Sequence, residues 1–163
     1  MDGVVRAGGW RPLAALLGMV AAAGCALSAP GDHADVQREL NRSRRQWEAL
    51  GIGDYRFVAR RVCFCGAEIT TPVVVEVRGG EVVSRTYQDT GQPVSATYEG
   101  LWPAVEGVFD IVQDAIDREA HRIEVEYDPE LRHPISIGID FLEHAVDEEL
   151  GINVSGFAPL PAE

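Results

Sequence analysis

Lysine is absent from this 163-residue chain: all 14 basic residues are arginines, set against 26 aspartates and glutamates, for a formal net charge of -12. Without lysine there is no Schiff-base chemistry and no lysine contact in a phosphate-cradling loop. The acidic balance argues against a sequence-independent grip on the phosphates of a nucleic acid, so no nucleic-acid partner is expected. Enzyme signatures are missing as well: there is no Gly-x-Ser-x-Gly elbow and no His-Glu-x-x-His. Gly51-Ile52-Gly53 lacks the third glycine of a dinucleotide fingerprint. No catalytic residue and no cofactor are therefore assigned. Long hydrophobic runs are also scarce, and the one from Pro12 to Ala23 is too short for a stable span, which needs roughly 20 apolar residues. What remains, 46% hydrophobic and 25% charged, suits one ordinary domain.

The first residues read as an address. Arg6 and Arg11 precede the short apolar run, and small residues follow it, the pattern of an export signal. Ala22-Ala23-Gly24-Cys25 resembles the bacterial lipobox, in which the cysteine is acylated and becomes the new N-terminus. The expected organisation is a signal peptide over 1–24, a lipidated Cys25 with a flexible tether over 25–33, a single domain over 34–157 and a tail over 158–163. Acyl chains at Cys25 would hold the domain on a membrane without any spanning helix, each buried methylene contributing about 0.8 kcal/mol. The alternative is an ordinary secretory signal with an incidental cysteine.

Along the domain, Val36, Leu40, Ser43, Trp47 and Leu50 recur at a 4-3-4-3 spacing and predict a helix over 34–50, capped by Asp32 or Asp35 and ended by Gly51 and Gly53. Its other face carries Arg38, Arg42, Arg44 and Arg45, a solvated basic face or a contact for an acidic partner. Strands are expected over 54–65, 73–78 and 81–87, the last two joined by Gly79-Gly80, a link that permits the positive φ angles of a tight hairpin. After a loop at 91–100, Pro103 can open a second helix with Val105, Val108, Phe109, Val112, Ala115, Ile116 and Ala120 as its apolar stripe. Asp110, Asp114 and Asp117 on its flank read as solvated charge. From Ile123 the period changes to two, predicting strands over 123–127 and 135–141 and a last short one near 150–157. The fold class expected is α+β, a mainly antiparallel sheet of about five to six strands with two amphipathic helices on one face, in the order α-β-β-β-α-β-β-β.

If Cys25 is a thioether, one cysteine pair is left, Cys63 and Cys65, in an exported and oxidising setting. Residues i and i+2 of a strand have Cα atoms about 6.6 Å apart, near the upper end of the disulfide range of roughly 4.4 to 6.8 Å, so a bridge requires a bend at Phe64. The pair reads as a local staple, as free thiols, or as a site of redox exchange or metal binding. His33, His121, His133 and His144 show no ligand spacing, and Asp147-Glu148-Glu149 with Asp140 lacks the spacing and the glycine of a calcium loop. No metal site is assigned.

Trp47, Asp54-Tyr55, Cys63-Phe64-Cys65, Tyr127-Asp128-Pro129, His133-Pro134 and the run from Ile135 to Asp140 together resemble an uncharacterised family of small bacterial lipoproteins and exported proteins, a domain of unknown function. The likeness spans roughly residues 40–157. Members usually show proline after the second cysteine and glycine before the later dipeptide, where this chain has Gly66 and Arg132. The resemblance implies no activity, substrate or catalytic residue. The expected function is a non-enzymatic binding or scaffolding module of the cell envelope, tethered through Cys25 and meeting an envelope protein by its sheet face or the loops at 63–71 and 91–102. The alternatives are a thiol redox or metal-handling protein using Cys63 and Cys65, and an inhibitor of an envelope enzyme acting through an exposed hairpin.

Overall fold

The computed structural model describes Met1, residues 33–143 and residues 149–161. Within these, helix α1 (Ala34–Leu50) leads into strand β1 (Tyr55–Val62), a short helix α2 (Ala67–Thr70), and strands β2 (Val73–Arg78) and β3 (Glu81–Tyr87). A single 3-10 turn (Glu99–Leu101) precedes helix α3 (Val105–Asp117), which is followed by strands β4 (Arg122–Tyr127), β5 (Pro134–Asp140) and β6 (Glu149–Pro159). The fold is α+β, with all six strands in one antiparallel sheet of order β3-β2-β1-β6-β5-β4. The β2–β3 link works as its sequence requires: Gly79 and Gly80 stand at φ +57° and +82°, both in the left-handed region that a two-residue hairpin turn needs.

The two αβββ halves meet where β1 pairs with β6, Ala59 facing Val154 and Val62 facing Gly151. Each half runs through the sheet in descending order, so the halves follow one another head to tail. β6 is central, hydrogen-bonded on both sides, and this accounts for its length. It continues past Phe157 to Pro159, two residues beyond the expected boundary, after an irregularity at Gly156 (φ +59°).

One face of the sheet is apolar. Tyr55, Phe57 and Ala59 of β1, Val73, Val75 and Val77 of β2, Ile137 and Ile139 of β5, and Ile152 and Val154 of β6 are buried, as period two demands. α1 buries Leu40, Ser43 and Trp47, and α3 buries Val105, Val108, Phe109, Val112 and Ala115. The two helices pack against each other and over β4 and β5. Details differ from the sequence expectation at element ends, where local preference is weakest. Leu50, the last residue of α1, is exposed. His33 takes the position expected of an aspartate cap, while Asp35 pairs with Arg38 in the first turn. Pro103 lies two residues before the start of α3, because extended Ala104 stands between it and the first turn.

Candidate functional site

β1 ends at Val62, so Cys63 and Cys65 lie in a turn and not on the strand that was expected to reach residue 65. The Cys65 N–H donates to the Cys63 carbonyl at 2.9 Å, which bends the chain at Phe64 and brings the two Cα atoms to 5.3 Å. Extended backbone would hold them further apart. The sulfurs are at bonding distance, 2.08 Å. With its neighbours tied together, Phe64 projects into solvent, 91% exposed. Behind it, the Gly66 carbonyl accepts from the N–H groups of Ile69 and Thr70, which makes the single turn of α2, and the Tyr87 hydroxyl donates to the Glu68 carbonyl. The connection at 63–72 is thus anchored on β3. The second expected contact loop is anchored too: Arg61 donates to the Leu101 carbonyl and Arg85 to the Trp102 carbonyl, at 3.1 and 2.7 Å. Burial pushes the Arg61 guanidinium below its ordinary pKa.

At the opposite end, polar groups organise the turns. Asp54 accepts from the Gly79 N–H at 2.7 Å and holds the β2–β3 turn to the start of β1. Glu106, in the first turn of α3, accepts from the Trp47 indole N–H at 2.8 Å and from the Tyr55 hydroxyl at 3.0 Å, while that hydroxyl accepts from the Val105 N–H. Burial, and then the charge of Glu106, pushes the Tyr55 phenol well above its usual range. Tyr127 is pushed up to about 12, by burial and by the neighbouring Glu39 carboxylate. Asp128 accepts from the N–H groups of Leu131 and Glu130; the first of these does most to hold its carboxyl below the usual range. His133 is buried, its ring 4.8 Å from that of Phe157 and edge-on to Trp47.

Among the described residues, no helix covers the second face of the sheet. This face presents Arg56, Arg60, Glu76, Ser136, Asn153 and Ser155, and the absence of side chains at Gly138 and Gly151 leaves a shallow groove of about 260 Å³ between Val62, Arg122, Glu124, Asp140 and Glu149. Charge of both signs and hydroxyl and amide groups surround the half-buried pair Val58 and Val74 on this face, a mixed surface suited to a protein contact.

A family model covers residues 39–159, three quarters of the chain. The chain belongs to DUF6174, a family of unknown function. No curated protein and no solved structure matches it. Within this DUF6174 domain, the residues singled out by sequence fall into separate groups. Cys63 and Cys65 are brought together; Cys25, His144, Asp147 and Glu148 lie outside the described residues. His33 donates from Nε2 to the Ala120 carbonyl, next to His121, whereas His133 is in the core at the other end. Among the described residues, no group of three His, Cys, Asp or Glu side chains could hold a metal ion. The helix charges largely meet one another: Arg42 with Glu39, Arg44 with Asp110 at 2.8 Å, and Arg118 with Asp114. Sequence reasoning gave Phe64 no role beyond the bend. Its signal was available, since a residue between two bonded cysteines has its side chain excluded from the bridge.

Proposed function

We propose that this DUF6174 chain is exported, acylated at Cys25 and held on a bacterial membrane outside the cytoplasm, where its domain acts as a non-enzymatic binding or scaffolding module for an envelope protein. The observation that carries the binding role is the six-stranded sheet with α1 and α3 on one side and a grooved face that, among the described residues, is left open on the other. The tether reading rests on Ala22-Ala23-Gly24-Cys25, and no helix among the described residues is long and apolar enough to cross a membrane. The experiment has two parts. Metabolic labelling with a fatty acid should mark the native product and send it to the detergent phase, and Cys25→Ser should abolish both; a native product that is unlabelled and water-soluble removes the tether. Photo-crosslinkers placed in cells at Asn153 and Ser136 should give a discrete adduct that the same group at Asp114, on the helix side, does not. Identical behaviour at all three positions removes the binding face.

A second reading has one observation in its favour, the solvent-accessible bridge between Cys63 and Cys65. An extracytoplasmic dithiol could reduce it, two electrons and two protons passing to give two thiols here and a disulfide in the donor. The reduced pair would also be the only thiolates available for metal handling. A reduction potential below about -300 mV would mark a structural staple and exclude this exchange.

A further inference from the structure

Strand register places several distant residues at one end of the molecule. Val62 faces Gly151 at the start of β6, Glu149 faces Asp140 at the end of β5, and Asp140 faces Arg122 at the start of β4. Ala120, two residues before β4, accepts the hydrogen bond from His33, so the chain enters the domain at this same end. Among the described residues, five large apolar side chains besides Met1 stand exposed, and three of them belong here: Phe64 at 91%, Leu142 at 57% and Val62 at 49%. The other two, Leu50 and Val83, lie elsewhere. Across the sheet, β1 to β5 is two strand spacings, about 10 Å, so Val62 and Leu142 stand at the same end, on either side of Glu149 at the start of β6. Phe64 tops this end, fixed by its turn.

We infer that this end is a second lipid contact: once Cys25 is acylated, Phe64, with Val62 and Leu142 beside it, seats in the headgroup and acyl boundary of the bilayer that carries the anchor. The inference rests on the tether reading above. Covalent reach supports the choice of occupant. Residues 25–32 span at most about 29 Å when fully extended, and the far end of the sheet stands a further strand length away, about 26 Å for eight residues. The far end could reach the bilayer only with the tether drawn out almost fully, whereas the end bearing Phe64, where the chain enters beside His33, meets it at every shorter extension. An aromatic ring with an aliphatic rim is the composition that partitions into this boundary. With a net charge of -12 the attraction is apolar, so a zwitterionic surface is the appropriate lipid. Seated this way, the strands run along the membrane normal, the groove beside Val62 lies at the headgroups, and the rest of the open sheet face, with Asn153 and Ser136, points sideways, free for a partner.

The test uses acylated protein purified from cells and placed in phosphatidylcholine vesicles, carrying Phe64→Trp or, for comparison, Val83→Trp. Trp47 and Trp102 are buried and supply a constant background. On vesicles the indole introduced at position 64 should shift its emission to shorter wavelength. Acyl-chain-brominated lipid should quench it, and acrylamide should lose access to it; the indole at position 83 should show none of these changes. Vesicle-bound protein in which position 64 stays as open to acrylamide as position 83 overturns the contact while leaving the tether intact. Protein that does not float with vesicles, and whose mass shows no acyl group on Cys25, overturns the tether reading and this inference with it.

Discussion

Arg132 holds φ at +66°, a backbone state that costs a residue with a Cβ roughly 1–2 kcal/mol and costs glycine almost nothing. What it gains is the pairing of its guanidinium with Glu39, a bond to the Ser43 hydroxyl at 3.0 Å and a position over the Tyr127 ring. Arg132→Ala and Arg132→Gly lose these contacts equally but differ in backbone cost. Glycine should therefore be the more stable of the two by about 1 kcal/mol in denaturant titrations, and equal midpoints would contradict the strain. Gly66 is the reverse case. Its φ of -66° is the angle to which proline is locked, its carbonyl carries the hydrogen bonds of α2, and an added Cβ meets only the mobile carboxylate of exposed Glu68. Gly66→Pro should raise stability by about 0.4–1 kcal/mol by restricting the unfolded chain. Asp128 ties stability to acid pH. Its folded carboxyl titrates below the unfolded value of 3.8, so its contribution is complete above that value and disappears as pH falls through the folded one. Asp128→Asn should flatten the acid limb of the melting-temperature profile below about pH 5; an unchanged limb would assign acid unfolding to other carboxylates.

Elements were legible in the sequence where their cause is local. Gly79-Gly80 specifies a turn by its own φ preference, and the alternation from Ile123 to Tyr127 and from Ile135 to Phe141 specifies two half-buried strands. β6 was read as ending at Phe157 because Pro159 and Pro161 mark the residues after it as a tail; its place beside β1, which pairs with it as far as Pro159, overrides that preference. The cysteine turn was read as strand because the aromatic and β-branched run continues to Phe64, whereas pairing with β6 stops at Val62. Least legible is the junction of α1, β1 and α3, since it depends on contacts between residues about fifty positions apart: Trp47, Tyr55 and Glu106. The Tyr55 hydroxyl accepts from the Val105 N–H at the buried start of α3, a position with no acceptor inside the helix itself. Tyr55→Phe keeps the ring in the core but leaves that N–H without its acceptor. It should cost about 1–3 kcal/mol in equilibrium unfolding, with far-ultraviolet dichroism showing α3 still formed. A cost near zero would show that the junction is held by ring packing alone.

At the scale of the whole molecule, head-to-tail halves leave two different sheet edges, a strand that begins one half and a strand that ends the other. An antiparallel pairing like that of β1 with β6 could in principle recur between molecules, β4 of one copy against β3 of the next, and such a contact propagates without closing. The edge at β3 is partly covered: the Tyr87 N–H donates to the Gln92 carbonyl, the Val94 N–H to the Arg85 carbonyl, and Pro93, which has no N–H, bridges Thr86. β4 has no strand on its outer side among the described residues, and a groove of about 570 Å³ runs along it beside Val36 and Glu39 of α1. What β4 does carry is exposed charge, Arg122, Glu124 and Glu126, in a protein already strongly acidic. Charged side chains on an open edge oppose the approach of a second edge, because their desolvation and mutual repulsion offset the hydrogen bonds gained. Replacing Glu124 and Glu126 together by threonine, a good strand former, removes that opposition while keeping the β4–β5 register. Size-exclusion chromatography with light scattering should then show species larger than the parent protein, growing with concentration. Arg122 left in place would not prevent this, because it sits at the end of the strand; if the double variant keeps the parent's mass at every concentration, the covering at β3 is sufficient by itself and the β4 charges serve another purpose.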